Sequence, residues 1–330
     1  MNDRLAAQGL RFRDFRFQDI PAMVDIRNRM MPDDPRTVER TEYFEKTYPP
    51  DNPRLRFAVE NAEGKFIGQG VCEYPFMFVA PGVYFMWIAI DPDWRGRGIG
   101  QALLAKFEPY ARQQGAEKMW SNCREDQDDS IRFLKRAGFE NTGMRFESIL
   151  DLTTFDERPF VGVIDRMQQA GFEFTNLTAE RIINPEADRL LYELDSETAR
   201  DVPWPGGVRM EVTYEQFRQR ALDGPDFDPA AIILAKYHGE FAGLTIAELD
   251  KTQRAHTAMT GVRRAYRGQG LALALKLLSF RLMKERGCTQ TITQNDTANP
   301  PILRLNEKLG YQKRPGHLMW SKPLTQEIHS

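Results

Sequence analysis

The chain has 330 residues, of which 41% are hydrophobic and 28% charged, with a formal net charge of −2. That length holds two domains of ordinary size, and that composition belongs to a folded globular chain rather than a disordered one. The near-neutral balance offers no global field for nucleic acid or anionic lipid, and the longest apolar run, Val83–Ile90, falls far short of the roughly 20 residues of a membrane helix.

The opening stretch MNDRLAAQGLRFRDF lacks a basic segment followed by an apolar core, so no leader is expected and the cytoplasm is the expected location. A strand is predicted over residues 10–15, then a helix starting at Asp19 with Pro21 in its first turn. A second helix is predicted over Val38–Thr47, and strands over 56–59, 65–74 and Val83–Ile90. A glycine-rich turn follows, then a helix to about residue 114, a strand over 118–123, a helix over 129–137 and a closing strand over 143–151. The polar, proline-containing segment 151–160 reads as a boundary, which gives domains 1–155 and 156–330. Beyond it, a helix over 160–169 leads to a strand over 172–177, and Asn184-Pro185-Glu186 reads as an N-cap with proline at the first helical position. Strands are predicted at Ile232–Tyr237, 241–249, 256–262 and 289–293, while 202–208 and 222–229 read as irregular loops.

The two halves repeat each other. Arg95 of WRGRGIGQALLAK and Arg267 of YRGQGLALALK stand 172 residues apart, as do Gly138 and Gly310, which end later helices. Upstream, GKFIGQGVCEY at residue 64 and GEFAGLTIAEL at residue 239 share the form G-x-F-x-G-x-x-x-x-E. A tandem of two like domains follows. Cys72, Cys123 and Cys288 are odd in number and far apart, so free thiols are expected, and the four scattered histidines give no metal site.

A strand, a glycine turn and a helix in succession make an anion site. The first N–H groups of the helix lack internal acceptors, the dipole adds positive charge there, and glycine lets a phosphate approach the backbone. Neither copy has the Lys-Ser/Thr of a P-loop, and the spacing is one residue short of the G-x-G-x-x-G dinucleotide fingerprint. What remains is [RQ]-x-x-G-x-[GA], met by Arg95-Gly96-Arg97-Gly98-Ile99-Gly100 and Arg267-Gly268-Gln269-Gly270-Leu271-Ala272.

In these motifs the sequence resembles the GNAT superfamily of acyl-CoA-dependent N-acyltransferases, and more closely its tandem-domain members, over nearly the whole chain. The resemblance implies two mixed α/β (α+β) domains. It also implies acetyl-CoA as acyl donor, a small-molecule amine as acceptor, no nucleic-acid or membrane partner, and a monomer or homodimer. It places the coenzyme pyrophosphate on Gly96, Arg97, Gly98, Ile99, Gly100 and Gln101, and on Gly268, Gln269, Gly270, Leu271, Ala272 and Leu273. The pantetheine arm is expected along Ile88, Ala89 and Ile90, and along Thr260, Gly261 and Val262. Asn295, Asn299 and Asn306 of TITQNDTANPPILRLNEKLGY are further candidates for cofactor contact, with Asn299 equally readable as a helix cap.

Glu73 and Glu248, at matched strand ends, are candidate bases. Many relatives carry an acid tyrosine four residues before the glycine that ends the last helix, where this chain has Leu134 and Asn306. Tyr84, Tyr110, Ser130 and Tyr311 remain open as substitutes, although Tyr311 reads better as a core residue. The acceptor region is expected over 30–47 or 199–229, both dotted with acidic residues. The asparagine-rich segment makes the C-terminal domain the stronger candidate for catalysis, and the competing reading is a non-catalytic acyl-CoA-binding module.

Overall fold

Two runs of strands with the same order organise the chain, one in each compact unit. The computed structural model describes residues 2–75, 80–203, 211–249 and 253–324. One unit comprises the residues up to Gly143 together with those from His317, and the other is Met144–Gly316. The predicted division at 155/156 follows the repeat, whereas the compact units draw one strand each from the opposite half of the sequence.

In order, the chain forms α1 (Asn2–Ala6), β1 (Arg11–Asp14), α2 (Ile20–Met30), α3 (Val38–Thr47), β2 (Arg54–Glu60), β3 (Phe66–Glu73) and β4 (Val83–Ile90). It continues with α4 (Ile99–Gln113), β5 (Lys118–Arg124), α5 (Asp128–Arg136), β6 (Glu140–Asp151), α6 (Val163–Gln169), β7 (Phe172–Asn176) and α7 (Leu177–Ile183). Then come α8 (Ala187–Ala199), α9 (Tyr214–Phe217), β8 (Ile232–Tyr237), β9 (Glu240–Leu249), β10 (Arg254–Val262), α10 (Leu271–Glu285), β11 (Gln290–Asp296), α11 (Pro300–Lys308), β12 (Gln312–Lys313) and β13 (His317–Pro323).

The first unit's sheet runs β1-β2-β3-β4-β5-β13, antiparallel except for the parallel pair β4/β5. The second runs β7-β8-β9-β10-β11-β6, again with one parallel pair, β10/β11. β13, from the end of the chain, closes the first sheet against β5, and β6 closes the second against β11. Parallel neighbours need a crossover, and α4 and α10 supply it.

Alternation along β8 sorts the second unit into two cores. Ile232 and Leu234 pack with Leu191, Leu194 and Phe217 beneath α8 and α9. Ile233 and Ala235 pack with Leu275, Leu277 and Phe280 of α10 on the opposite face. The first unit gathers Leu103, Phe107, Met86 and Trp320 around α4.

The structure differs from the expected helix start at Asn184. The helix α8 begins at Ala187 with Glu186 at its N-cap, and the Asn184 side chain accepts a hydrogen bond from the Glu186 N–H in a turn ahead of it. Of the loop read at 202–208, residues 204–208 lie outside the described residues. All three cysteines are buried, and none is in a disulfide. Among the described residues no helix is long and apolar enough to cross a membrane.

One close approach has an immediate consequence. A Cβ on Gly261 would stand 2.3 Å from Thr198 Oγ1 and 2.7 Å from Thr198 Cβ. Gly261→Val is therefore expected to destabilise the fold by about 2 kcal/mol or more, with partial recovery when Thr198→Ala is added. Urea unfolding of the single and double variants checks this.

Candidate functional site

In each unit the two parallel strands pair for a few residues and then part. Pairing of β4 with β5 ends at Phe85↔Trp120, and pairing of β10 with β11 at Thr257↔Thr293. The gap is a wedge whose walls carry unpaired strand backbone. The first wedge, about 630 Å³, is lined by Met86, Trp87, Ile88 and Ile90 on one side and Ser121–Arg124 on the other. The second, about 490 Å³, is lined by Thr257–Val262 and by Thr293–Asp296. A larger hollow of about 860 Å³ beneath residues 151–160 shares only Lys308 with the second wedge and is lined by neither motif turn.

At the open end of each wedge lies the glycine turn. Gly98 (φ +86°) and Gly270 (φ +99°) hold left-handed conformations at the N-caps of α4 and α10. Gly96 (φ +74°) and Gly268 (φ +76°) are left-handed as well, and a Cβ on any of the four would meet nothing within 4 Å. The turns leave open space before a helix end, which is the shape a phosphate group fills. The motif arginine braces each turn from beneath: Arg95 Nε donates to the Ile90 carbonyl at 3.2 Å, and Arg267 Nε to the Val262 carbonyl at 2.8 Å. Arg267 and Arg264 both grip Asp201, which holds that carboxyl far below its ordinary range.

The sequence candidates divide clearly. Gly96, Gly98, Ile99, Gly100, Gln101, Ile88 and Ile90 line the first wedge. Gly268, Gly270, Leu271, Ala272, Leu273, Thr260, Gly261, Val262, Asn295 and Asn299 line the second. Ala89 is buried opposite Gln69 of β3. Arg97 stacks its guanidinium 4.6 Å from the Trp94 ring, and the Gln269 amide turns back to the Ala265 carbonyl. Asn299 stands at the N-cap of α11, but its side chain makes no capping bond. Asn306 is buried and donates to Asn295 Oδ1 at 2.7 Å, while Asn295 donates to Ser148 Oγ at 3.1 Å. The first of these braces the second, which faces the wedge.

The two glutamates stand in different surroundings. Glu73 lies 3.2 Å from Arg54, inside a network in which Arg54 and Arg56 also bind Glu45. Burial pushes its carboxyl up, and the arginines oppose the shift. Glu248 sits opposite His256 where β9 pairs with β10. Neither glutamate is among the residues that line a wedge.

The units also differ in the wedge strand itself. β3 and β4 pair in unbroken register from Gly68↔Ile90 to Glu73↔Phe85. β9 and β10 shift between Thr257 and Met259, so that Ala258 is an extra residue bulged from the wall of the second wedge. A bulge leaves a backbone group unpaired and re-aims its neighbours, a common device beside active sites. Thr245 Oγ1, 3.1 Å from the Met259 carbonyl, holds the strand beyond it.

Two buried ionisable groups here escaped the sequence reading. Asp195, 4% exposed, lies on the face of α8 that packs on the sheet, with Arg220 3.2 Å away on a π-helical turn, Arg218–Leu222. Burial raises its carboxyl above the ordinary range, against the pull of Arg220. Lys276, 1% exposed, lines the second wedge from α10; its Nζ makes no hydrogen bond and rests 4.9 Å from the Tyr311 ring centroid. Burial alone brings its amine down to about 7. Tyr311 packs against the core as expected, its hydroxyl beside Thr257 and Thr291.

Each of the two mixed α/β units thus carries a wedge of parted parallel strands that leads to a glycine-opened helix. The family model described as "Acetyltransferase (GNAT) family" matches residues 20–139 and 191–311, and the chain belongs to that family as an N-acetyltransferase. A mycothiol acetyltransferase of Thermomonospora curvata is 30% identical over 237 residues, which cover 72% of this chain and 73% of that protein. Another, from Acidothermus cellulolyticus, is 24% identical over 241 residues, covering 68% and 67%. Among solved structures, a tandem GNAT protein from the clavulanic acid biosynthesis pathway has a TM-score of 0.72 at 19% identity and covers 96% of this chain and 99% of its own. A GCN5-related N-acetyltransferase from Sphaerobacter thermophilus has a TM-score of 0.71 at 18% identity, covering 97% of each.

Proposed function

We propose that the C-terminal repeat transfers the acetyl group of acetyl-CoA to a small-molecule amine, and that the N-terminal repeat holds a second acetyl-CoA without turning it over. On this reading the repeats 1–155 and 156–330 are the functional domains, and each lends its last strand to the other's sheet. The carrying observation is the bulge at Ala258. It places unpaired strand backbone in the wall of the second wedge, where a thioester carbonyl needs a donor as it becomes an oxyanion. The first wedge keeps the anion turn but has no register shift.

The residues present fit the donor. Gly268–Leu273 would take the diphosphate and Thr260–Val262 the amide-rich arm, as one strand takes another. Acetyl-CoA supplies the activated acyl group, and the chain's share is to position it and exclude water. Glu248, the strand-end carboxylate expected as base, stands outside the lining of the wedge. In the mycothiol acetyltransferases the name states an acetyl acceptor chemistry; here that supports acetyl as the group moved and leaves the amine to be found by assay. Thiol release from acetyl-CoA with a panel of small amines tests the reading: turnover that survives Gly98→Glu and is lost in Gly270→Glu is expected. Turnover lost in Gly98→Glu instead would assign catalysis to the other half.

A further inference from the structure

We infer that Asp195 and Lys276 form the proton-handling pair of the C-terminal wedge, the carboxylate serving the amine side and the lysine serving the thiol side. This rests on the acetyl-transfer reading above. The two residues approach the sheet from opposite faces. α8 covers the face of Ile232, Leu234 and Ile246, and α10 covers the face of Ile233, Ala235 and Ala255.

Lys276 lines the wedge, and Asp195 lies behind Thr198, which lines it. Thr198, one helical turn from Asp195 on the same buried stripe of α8, lines the wedge and abuts Gly261 of β10. Lys276 lies farther along α10 than the glycine turn, beside Tyr311, whose hydroxyl reaches the Thr257 end where the strands close. A carrier with its diphosphate at the open end delivers its sulfur to that closed end. The stem of Lys276 is part of the wedge wall, and its four flexible carbons let the covered amine swing toward a sulfur there.

The N-terminal unit lacks both groups. Laying the buried stripe Leu191-Leu194-Asp195 of α8 on the stripe Ile20-Met23-Val24 of α2 sets Asp195 where α2 has Val24. At the 172-residue offset of the glycine turns, Lys276 falls where α4 has Leu104. Val24 and Leu104 are buried apolar residues, so these sites accept hydrocarbon. A fold that keeps a buried carboxyl and a buried, unpartnered amine at them gives up stability, which is the mark of a functional site.

The protons balance. As the neutral amine's nitrogen bonds to the acyl carbon, Asp195 takes its proton. The C–S bond breaks, its electron pair leaves on sulfur, and the Lys276 ammonium protonates that sulfur. Transfer of the proton from Asp195 to Lys276 through solvent restores both groups.

The test has two arms. In the first, CoA thiol is bound to the full chain and its thiolate ultraviolet absorption is followed against pH. With CoA bound, the thiolate and the ammonium stabilise each other and titrate as a pair, so the thiol should titrate at least about one pH unit lower in the wild type than in Lys276→Met. Identical titrations would overturn the role of Lys276. In the second arm, Asp195→Asn should cut turnover by about a hundredfold or more, with acetyl-CoA affinity within about threefold of wild type. Glu248→Gln, carried alongside, should lose less. Wild-type turnover in Asp195→Asn would overturn the role of Asp195. Should no amine give turnover while acetyl-CoA binds, the acetyl-transfer reading fails and Asp195 with it, and the thiol titration still decides Lys276.

Discussion

Wild-type protein takes up two equivalents of acetyl-CoA in calorimetry, Gly98→Glu and Gly270→Glu take up one each, and the double variant takes up none: this is the result expected if both glycine turns cradle the carrier. The argument starts from geometry. At φ +86° and +99°, Gly98 and Gly270 hold a conformation that costs an L-residue about 1–2 kcal/mol, a loss that weakens the turn without breaking the fold. No atom stands within 4 Å of a Cβ at either place, so the new side chain enters the space where phosphate would lie. A carboxylate there sets like charge against like at a helix end that otherwise favours anions. Loss of at least a hundredfold in affinity at the altered site is expected, on the order of 3 kcal/mol. Gln in place of Glu has the same bulk and the same backbone strain, so the difference between the two isolates the charge. Equal affinities for the Glu and Gln variants would mean that shape alone, and not an anion, was excluded. Two equivalents retained by the double variant would remove the cradle from the account.

Much of this architecture can be read without coordinates, and the reasons are local. The glycine turn is legible because left-handed backbone, an arginine brace and a helix start all demand specific residues within a few positions, and they recur at a fixed offset. The strand exchange is not legible. β6 and β13 look like ordinary strands, and which sheet a strand joins depends on long-range register rather than on its composition. Asn184 misled because an Asn-Pro pair reads as a helix start, whereas here the asparagine serves a turn and the helix waits three residues. The bulge at Ala258 escaped because one extra residue in β10 leaves the apolar character of the strand intact. Asn295 and Asn306 illustrate the middle ground: their region was visible, but only packing separates the one that faces the wedge from the one behind it.

Asp195 and Lys276 were hidden for a different reason. A charge in a helix ordinarily faces solvent, and the charges around Asp195 in ADRLLYELDSETA mask the one that turns inward. The one sequence signal was relative: across the repeat, each replaces an apolar residue, Val24 or Leu104. Two similar domains thus act as controls for each other, and a polar residue that breaks their common apolar pattern marks where they differ in task.

That contrast leads to an expected result on stability: Lys276→Leu, which copies the N-terminal residue, makes the protein more stable at neutral pH and flattens its stability at alkaline pH. In the fold the amine titrates at about 7, against 10.5 when unfolded. Below pH 7 both states carry the proton, and this group adds no pH dependence. Between about 7 and 10.5 the unfolded chain holds a proton that the folded chain has released, so stability rises with pH through that window. Across the window the wild type gains on the order of 5 kcal/mol from this residue, because burial penalises the ammonium and no hydrogen bond offsets it. The variant's leucine has no proton to lose. The wild-type-minus-variant difference should therefore be most unfavourable to the wild type at neutral and lower pH, and it should shrink steadily toward pH 10. Urea unfolding at several pH values measures it, and taking the difference cancels every group the two proteins share. A pH-independent difference would mean that the buried amine keeps its proton throughout, and a wild type more stable than the variant at pH 7 would mean that the ammonium has a partner after all. The variant predicted to be sturdier is also one that should lose the lowered titration of bound CoA thiol, so stability gained and proton transfer lost would trace to one nitrogen atom.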